Sequence, residues 1–288
     1  MLTLLEIIKR TAEFLEGRGV ENARLNAEHL VGQALGLKRM QLYLQFEKPL
    51  SEAELERIRP LVRRRGLREP LQHIVGEVEF AGLRLRSDRR ALVPRPETEY
   101  LTEILLSRLP ETLPLRVADL GTGMGAIALA LAAARPAWAI TASDLSADAL
   151  ALARENAAAV GLAERVNFAA GSWFDALPDG ERFDLIVSNP PYLAAREVAA
   201  AAPEVREHDP RMALVSDEEG LTDLRRLIAG AAARLNSGGL LALETGPEQH
   251  GALTEFARAA GWADVESLRD LAGRERYLLL HAAVIPPA

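Results

Sequence analysis

Several apolar runs in this chain stop at residues able to do chemistry. The most unusual is Leu185-Ile186-Val187, which leads into Asn189-Pro190-Pro191-Tyr192. Asn189 offers a neutral amide oxygen. Pro190 offers a carbonyl with no N–H of its own at a fixed φ. Together they could hold both N–H groups of a planar amide or amine nitrogen, a poor nucleophile because its lone pair is delocalised. Such a grip would aim the lone pair at an incoming group and favour the partly tetrahedral nitrogen of the transition state. Tyr192 adds a face for a flat group to stack on. The bland alternative is a β-turn, where Asn-Pro is common.

Three other run ends suggest what donates the group. Leu115–Leu120 ends in Asp119-Leu120-Gly121-Thr122-Gly123-Met124-Gly125, a glycine-rich turn into a helix whose N–H groups are open to a ligand. Gly121-x-Gly123-x-x-Ala126 also satisfies a dinucleotide fingerprint. A second run ends at Asp144, an acid able to hold both hydroxyls of a ribose; its alternative role is at a helix N-terminus beside a capping Ser146. A third ends in Gly171-Ser172-Trp173, whose ring would pack against adenine or fill the core. These features suit NAD and S-adenosylmethionine equally. Asn189-Pro190-Pro191-Tyr192 breaks the tie, because hydride transfer has no use for it and methylation of a planar nitrogen does.

Positioning these residues requires strand ends on one side of a sheet. From Leu115 onward strands (Leu115–Leu120, Ala139–Ser143, Val166–Ala170, Asp184–Ser188, Leu240–Glu244) alternate with helices (Ala126–Ala134, Ala147–Val160, Leu221–Leu235, Glu248–Ala260). The pattern predicts a mostly parallel sheet covered on both faces, its ligand site beyond the carboxyl ends of the strands. Asp264–Leu268 and Arg276–His281, joined near Gly273, predict an edge hairpin. The first 74 residues read as a small helical bundle. Thr3-x-x-Glu6 and Ser51-x-x-Glu54 are capping boxes, Asn22 to Leu35 is a helix stopped by Gly36, a short third helix holds Met40, Leu42 and Leu44, and Pro60 predicts a kink or break. Residues 75–93 read as a β-hairpin linker, with strands drawn from Val75, Val78, Phe80, Leu83 and Leu85. Residues 94–288 form the larger domain, entered through Pro94-Arg95-Pro96-Glu97 and a helix near Tyr100–Leu109.

Composition narrows the function further. The chain has 288 residues, 49% hydrophobic and 26% charged, enough for a packed core. Without cysteine, disulfides, thiolate zinc sites and a cysteine nucleophile are excluded. No apolar run is long enough to span a bilayer, and Glu6 interrupts any signal peptide, which fits the cytoplasm. A net charge of −7, with Arg63-Arg64-Arg65 the one dense basic run, disfavours a nucleic-acid substrate.

DLGTGMGAIALALA, the acid of ASDLS, and VSNPPYL resemble Class I S-adenosylmethionine-dependent methyltransferases acting on planar nitrogens. ENARLNAEHLVGQALGL, EPLQHIVGEVEFAGL, LVPRPETEYL, EVREHDPRMAL and EEGLTDLRRLI resemble the protein-(glutamine-N5) methyltransferases that modify class I peptide-chain release factors, from about residue 20 to 281. The resemblance implies a Rossmann-like α/β fold and a helical domain that docks the release factor. It implies that Gly121, Thr122, Gly123, Met124 and Gly125 surround the methionine part of S-adenosylmethionine, Asp144 holds the ribose, Trp173 lies by the adenine, and Asn189 stands beside the cofactor. Asn189 and Pro190 would grip the glutamine amide of a Gly-Gly-Gln motif, with Pro191 and Tyr192 shaping the slot. Arg95 and Glu97 would lie nearby without assigned roles. Ser172 stands where some members carry an acid, with Asp175 close by. S-adenosylhomocysteine would be the product, with neither a metal nor a dedicated general base, and His73 and His208 structural. The segment 194–212 is expected to cover the bound peptide. Rival readings are glutamine methylation of a ribosomal protein, an adenine or guanine amino methyltransferase acting on nucleic acid, and a binding module with a vestigial pocket.

Overall fold

The computed structural model describes residues 1–284. The chain divides into two compact units, Met1–Glu77 with Ala202–His208, and Val78–Ala201 with Asp209 onward.

The first unit is helical: α1 (Leu4–Glu16), α2 (Ala23–Leu35), α3 (Arg39–Tyr43), α4 (Glu52–Gly66) and α5 (Leu71–Val75). Both capping boxes form, with Thr3 and Ser51 accepting from the N–H of Glu6 and Glu54. Leu4, Ile8, Thr11 and Leu15 are buried at helical spacing, so one stripe of α1 faces the core. Leu4, Ile8, Ala27, Val31, Leu42, Leu50 and Ile58 form that core; each buried Leu or Ile contributes roughly 1.5–3 kcal/mol. Pro60 does not break α4. Ile58 is fixed in the core on one side, and Arg65 on the other donates to Asn26 Oδ1 at 2.8 Å and to the Glu69 carbonyl at 3.1 Å. Packing at both ends outweighs one lost main-chain bond. A later segment completes the unit. In α10 (Pro203–His208), Glu204 accepts from Arg65 at 2.8 Å and from Arg68 at 2.6 and 2.8 Å. Burial opposes ionisation of Glu204, but its bonds from Arg68, from its own N–H and from Arg65 pull the carboxyl down to about 2.

The expected linker begins differently. Leu71–Val75 is a helical turn, ended by Gly76 at φ +83° with its N–H on the Gln72 carbonyl. Five residues are too few to display helical period. The hairpin is confined to β1 (Glu77–Phe80) and β2 (Leu83–Arg86), turned by Ala81 at φ +48° and Gly82 at φ +76°.

The second unit is a seven-stranded sheet, β3 (Arg116–Leu120), β4 (Ala139–Asp144), β5 (Val166–Ala170), β6 (Phe183–Ser188), β7 (Leu235–Glu244), β8 (Asp264–Arg269) and β9 (Glu275–His281), in the order β5-β4-β3-β6-β7-β9-β8. The first five are parallel, and β9 runs antiparallel between β7 and β8. Side chains alternate between two cores. Val117, Leu185, Val187, Leu240, Ala242 and Leu279 meet α6 (Pro96–Arg108), α7 (Ala126–Ala134) and α8 (Ala147–Ala159). Ala118, Leu120, Ile186, Leu241, Leu243, Leu278 and Leu280 meet α12 (Thr222–Ala231) and α13 (His250–Ala259). Short helices α9 (Ala195–Ala200) and α11 (Asp217–Gly220) lie in the connection after β6. Several boundaries depart from the expected pattern, three of them by more than two residues. α6 starts at Pro96, with proline in the first turn. The helix expected to reach Leu235 ends at Ala231, and β7 already starts at Leu235. Its partners on β6 jump from Phe183↔Leu235 to Leu185↔Leu240, so Asn236-Ser237-Gly238-Gly239, a turn-like run in the sequence, is an irregularity inside a strand.

Candidate active site

The carboxyl ends of β3, β4, β5 and β6 surround a cavity of about 420 Å³, within the usual range for small-molecule sites.

After β3 the glycine turn is tied down by main-chain bonds. The N–H groups of Gly121 and Thr122 both donate to the Ser143 carbonyl, at 2.8 and 2.9 Å. Gly121 sits at φ +73°, which favours glycine, and a Cβ there would come 3.2 Å from the Trp173 ring, so any other residue would also push the indole back by a few tenths of an ångström. Asp119 braces the turn from beneath: its Oδ2 accepts from Thr122 Oγ1 at 2.6 Å and from the Ala128 N–H at 3.1 Å. Burial pushes this carboxyl up to about 7, against those two bonds.

Asp144, the last residue of β4, is anchored at the N-terminus of α8. One oxygen accepts the Gly123 N–H at 2.8 Å and the other the Ser146 N–H at 2.8 Å, while Ser146 caps α8. Each oxygen keeps a lone pair, and Asp144 lines the cavity beside exposed Leu145. Trp173, at φ +49°, also lines the cavity, its indole N–H donating to Asp223 Oδ1 at 3.1 Å. A carboxylate beside an apolar, partly aromatic slot of Leu145, Ala149, Ile127 and Trp173 suits a ribose joined to a flat heterocycle.

Asn189 is carried to the same cavity by β6. Ser188 Oγ donates to the Leu120 carbonyl at 2.6 Å, joining the ends of β6 and β3. Asn189 Nδ2 donates to Thr98 Oγ1 at 3.0 Å, which leaves Oδ1 as its open acceptor. The next turn is shaped from behind. Gln249 donates to the Tyr192 carbonyl at 2.8 Å, and Gly220, at φ +80°, packs so closely that a Cβ would lie 2.1 Å from that oxygen.

Gly121, Thr122, Gly123, Met124, Asp144, Trp173, Asn189 and Pro191 line the cavity. Gly125, Pro190 and Tyr192 do not. Gly125 faces Ala153 and Leu129 instead, allowing α7 and α8 to approach. Pro190 is buried, and the Tyr192 hydroxyl points inward to Glu244 at 3.2 Å. Arg95 pairs with Asp209 at 3.0 Å and Glu97 with Arg274 at 3.1 Å; neither lines the cavity, nor do His73 and His208. Asp175 pairs with Arg226 at the surface, whereas Ser172 is in the wall. Of the segment 194–212, Pro210 and Met212 reach the cavity. The sequence assigns no role to Leu92, Pro94, Thr98 or Val215, which line the wall from outside the strand-end motifs. Leu92, Pro94 and Thr98 do carry a signal, since all three lie inside LVPRPETEYL.

The strand order, the glycine turn and the acid at the end of β4 define a Rossmann-like Class I methyltransferase. The likeness extends to a T. thermophilus 16S rRNA N2 G1207 methyltransferase solved with AdoMet and guanosine (TM-score 0.53, 22% identity, 72% of this chain and 49% of that one). Residues 6–76 match the PrmC N-terminal domain family and residues 96–209 the methyltransferase small domain family. The release factor glutamine methyltransferase of Deinococcus radiodurans is 45% identical over 277 residues, 96% of this chain and 98% of that protein. That of Cereibacter sphaeroides is 44% identical over 274 residues, 95% of each. The chain belongs to the release factor glutamine methyltransferase family. No helix among the described residues is long and apolar enough to cross a membrane.

Proposed function

We propose that this enzyme transfers a methyl group from S-adenosylmethionine to the side-chain amide nitrogen of the Gly-Gly-Gln glutamine in class I peptide-chain release factors. One observation carries the reading: Asn189 opens into the cavity walled by Gly121, Gly123 and Asp144, with its amide nitrogen committed elsewhere and its oxygen left to accept.

S-adenosylmethionine, when bound, supplies a methyl group already activated by its sulfonium. Asp144 would hold the ribose hydroxyls, Trp173 and Leu145 the adenine, and the Gly121–Met124 turn the methionine part. Asn189 Oδ1 would accept one N–H group of the glutamine amide, and the carbonyl of Pro190, a buried residue outside the cavity wall, is proposed to accept the other. Their pull strengthens as the nitrogen becomes positive, so it stabilises the transition state more than the ground state. One N–H proton then leaves the methylated nitrogen for water, since that cation is strongly acidic. No side chain need remove a proton first. Residues 1–74 would dock the release factor, and segment 194–212 would cover the bound peptide.

Mass spectrometry of a bacterial release factor incubated with enzyme and S-adenosylmethionine tests the reading. The expected product carries the mass of one CH₂ on the glutamine of Gly-Gly-Gln. An unmodified release factor alongside labelled ribosomal protein or nucleic acid would overturn it.

A further inference from the structure

Behind Asn189 lies a relay of buried side chains that the chemistry above leaves unused. Asn189 Nδ2 donates to Thr98 Oγ1 at 3.0 Å, Thr98 Oγ1 donates to Glu244 Oε2 at 2.8 Å, and the Tyr192 hydroxyl donates to Glu244 Oε1 at 3.2 Å. Thr98 is 4% exposed and Glu244 1%. They come from α6 and from the last residue of β7, so three distant parts of the chain meet at one carboxyl.

Proton counting sets the direction of this relay. A threonine hydroxyl has one proton to give. While Glu244 is ionised it gives none, so Thr98 must donate to it and shows Asn189 only lone pairs. Asn189 therefore turns its NH₂ to Thr98 and its oxygen to the cavity. Were Glu244 protonated, it could donate to Thr98, and Thr98 to Asn189. The amide would then rotate and face a substrate NH₂ with its own, donor against donor. We infer that Glu244, acting through Thr98, is a positioning residue that holds the Asn189 amide with its oxygen toward the substrate; this rests on the role assigned to Asn189 above.

The surroundings make the arrangement sensitive to pH. Burial pushes Glu244 up to about 7, against the Thr98 bond, the Arg276 charge and the Tyr192 bond, with Glu97 adding to the rise. Glu97 lies on α6 and pairs with Arg274. Arg276, on β9, faces Asp270 at 3.5 Å and donates to the Thr245 carbonyl. Tyr277, also on β9, donates to the Glu97 carbonyl, and His250 of α13 is joined to Thr245 Oγ1 at 2.7 Å.

The test is turnover on a release factor, with calorimetric binding of S-adenosylmethionine, for wild type, Thr98→Val, Thr98→Ser, Glu244→Gln and Asn189→Ala, from about pH 6 to about pH 9. Wild-type kcat should rise with pH through about 7. Glu244→Gln should lose that rise and fall about 10-fold or more in kcat on the alkaline side. Thr98→Val should fall similarly, Thr98→Ser should recover most of the loss, and cofactor affinity should hold throughout. Wild-type kcat in Thr98→Val or Glu244→Gln beside an inactive Asn189→Ala would overturn this inference alone. So would a Thr98→Ser no better than Thr98→Val, or losses that follow cofactor affinity and unfolding midpoint. An active Asn189→Ala would instead remove the role of Asn189 itself, and the inference with it.

Discussion

The two halves of the cavity each rest on a buried carboxyl, Asp119 under the glycine turn and Glu244 behind Asn189, and burial pushes both up to about 7. They are braced differently. Asp119 holds a hydroxyl three residues away and an N–H nine residues away, so the half walled by the glycine turn is a local structure. Glu244 gathers hydroxyls 146 and 52 residues distant, so the half around Asn189 is assembled by tertiary folding. On the proposed function, a local brace would fix main-chain geometry that a bound nucleoside needs, and a long-range brace would fix the direction of one side-chain amide, which matters to the reacting group.

The sharpest way to break this comparison is to show that the halves do not separate. Asn189→Ala should lower kcat by about 100-fold or more, the scale of removing one transition-state hydrogen-bonding group, with S-adenosylmethionine affinity unchanged. Gly220→Ala should come next, because its Cβ would strike the Tyr192 carbonyl, a main-chain atom. A loss of about 3 kcal/mol is expected by chemical denaturation, with turnover falling before cofactor binding does.

Asp119→Asn probes the other brace through pH. Burial pushes the folded carboxyl up to about 7, above its unfolded value, so it is neutral in both states at low pH. As pH rises towards 7 only the unfolded chain ionises, and stability falls. The substitution should flatten that fall between about pH 4 and pH 7 by up to roughly 4 kcal/mol, read from unfolding midpoints; an unchanged slope would show that Asp119 is not the titrating group. Glu244 contributes with the same sign and should preserve part of the slope. The smallest effect is expected from Asp144→Asn: cofactor affinity down about 10-fold, the scale of one charge-assisted hydrogen bond, with kcat at saturation near wild type.

The same contrast explains what could be read from the sequence. Strand ends, the glycine turn, the acid at the end of β4 and both capping boxes are local patterns, and the structure forms each of them. Asn189 was legible because Asn-Pro-Pro-Tyr ends an apolar run. Glu244 was not, and Thr98 showed only as part of LVPRPETEYL, since the meeting of α6 and β7 depends on strand order. Helix α5 was too short to show a period, and the residues inside β7 that include Gly238 and Gly239 imitate a turn.

The return of residues 202–208 to the helical unit bears on how this polypeptide could be divided. A fragment ending near residue 77 would keep Arg65 and Arg68 but lose the acid that answers both. One of these guanidinium groups is only 7% exposed, and an unanswered charge so sheltered costs about 3–5 kcal/mol. The helical unit is therefore not a module that one cut can release: its last piece is threaded in from beyond the Asn189–Tyr192 turn, and a soluble fragment would need residues 202–208 grafted back or Arg65 replaced by an uncharged side chain.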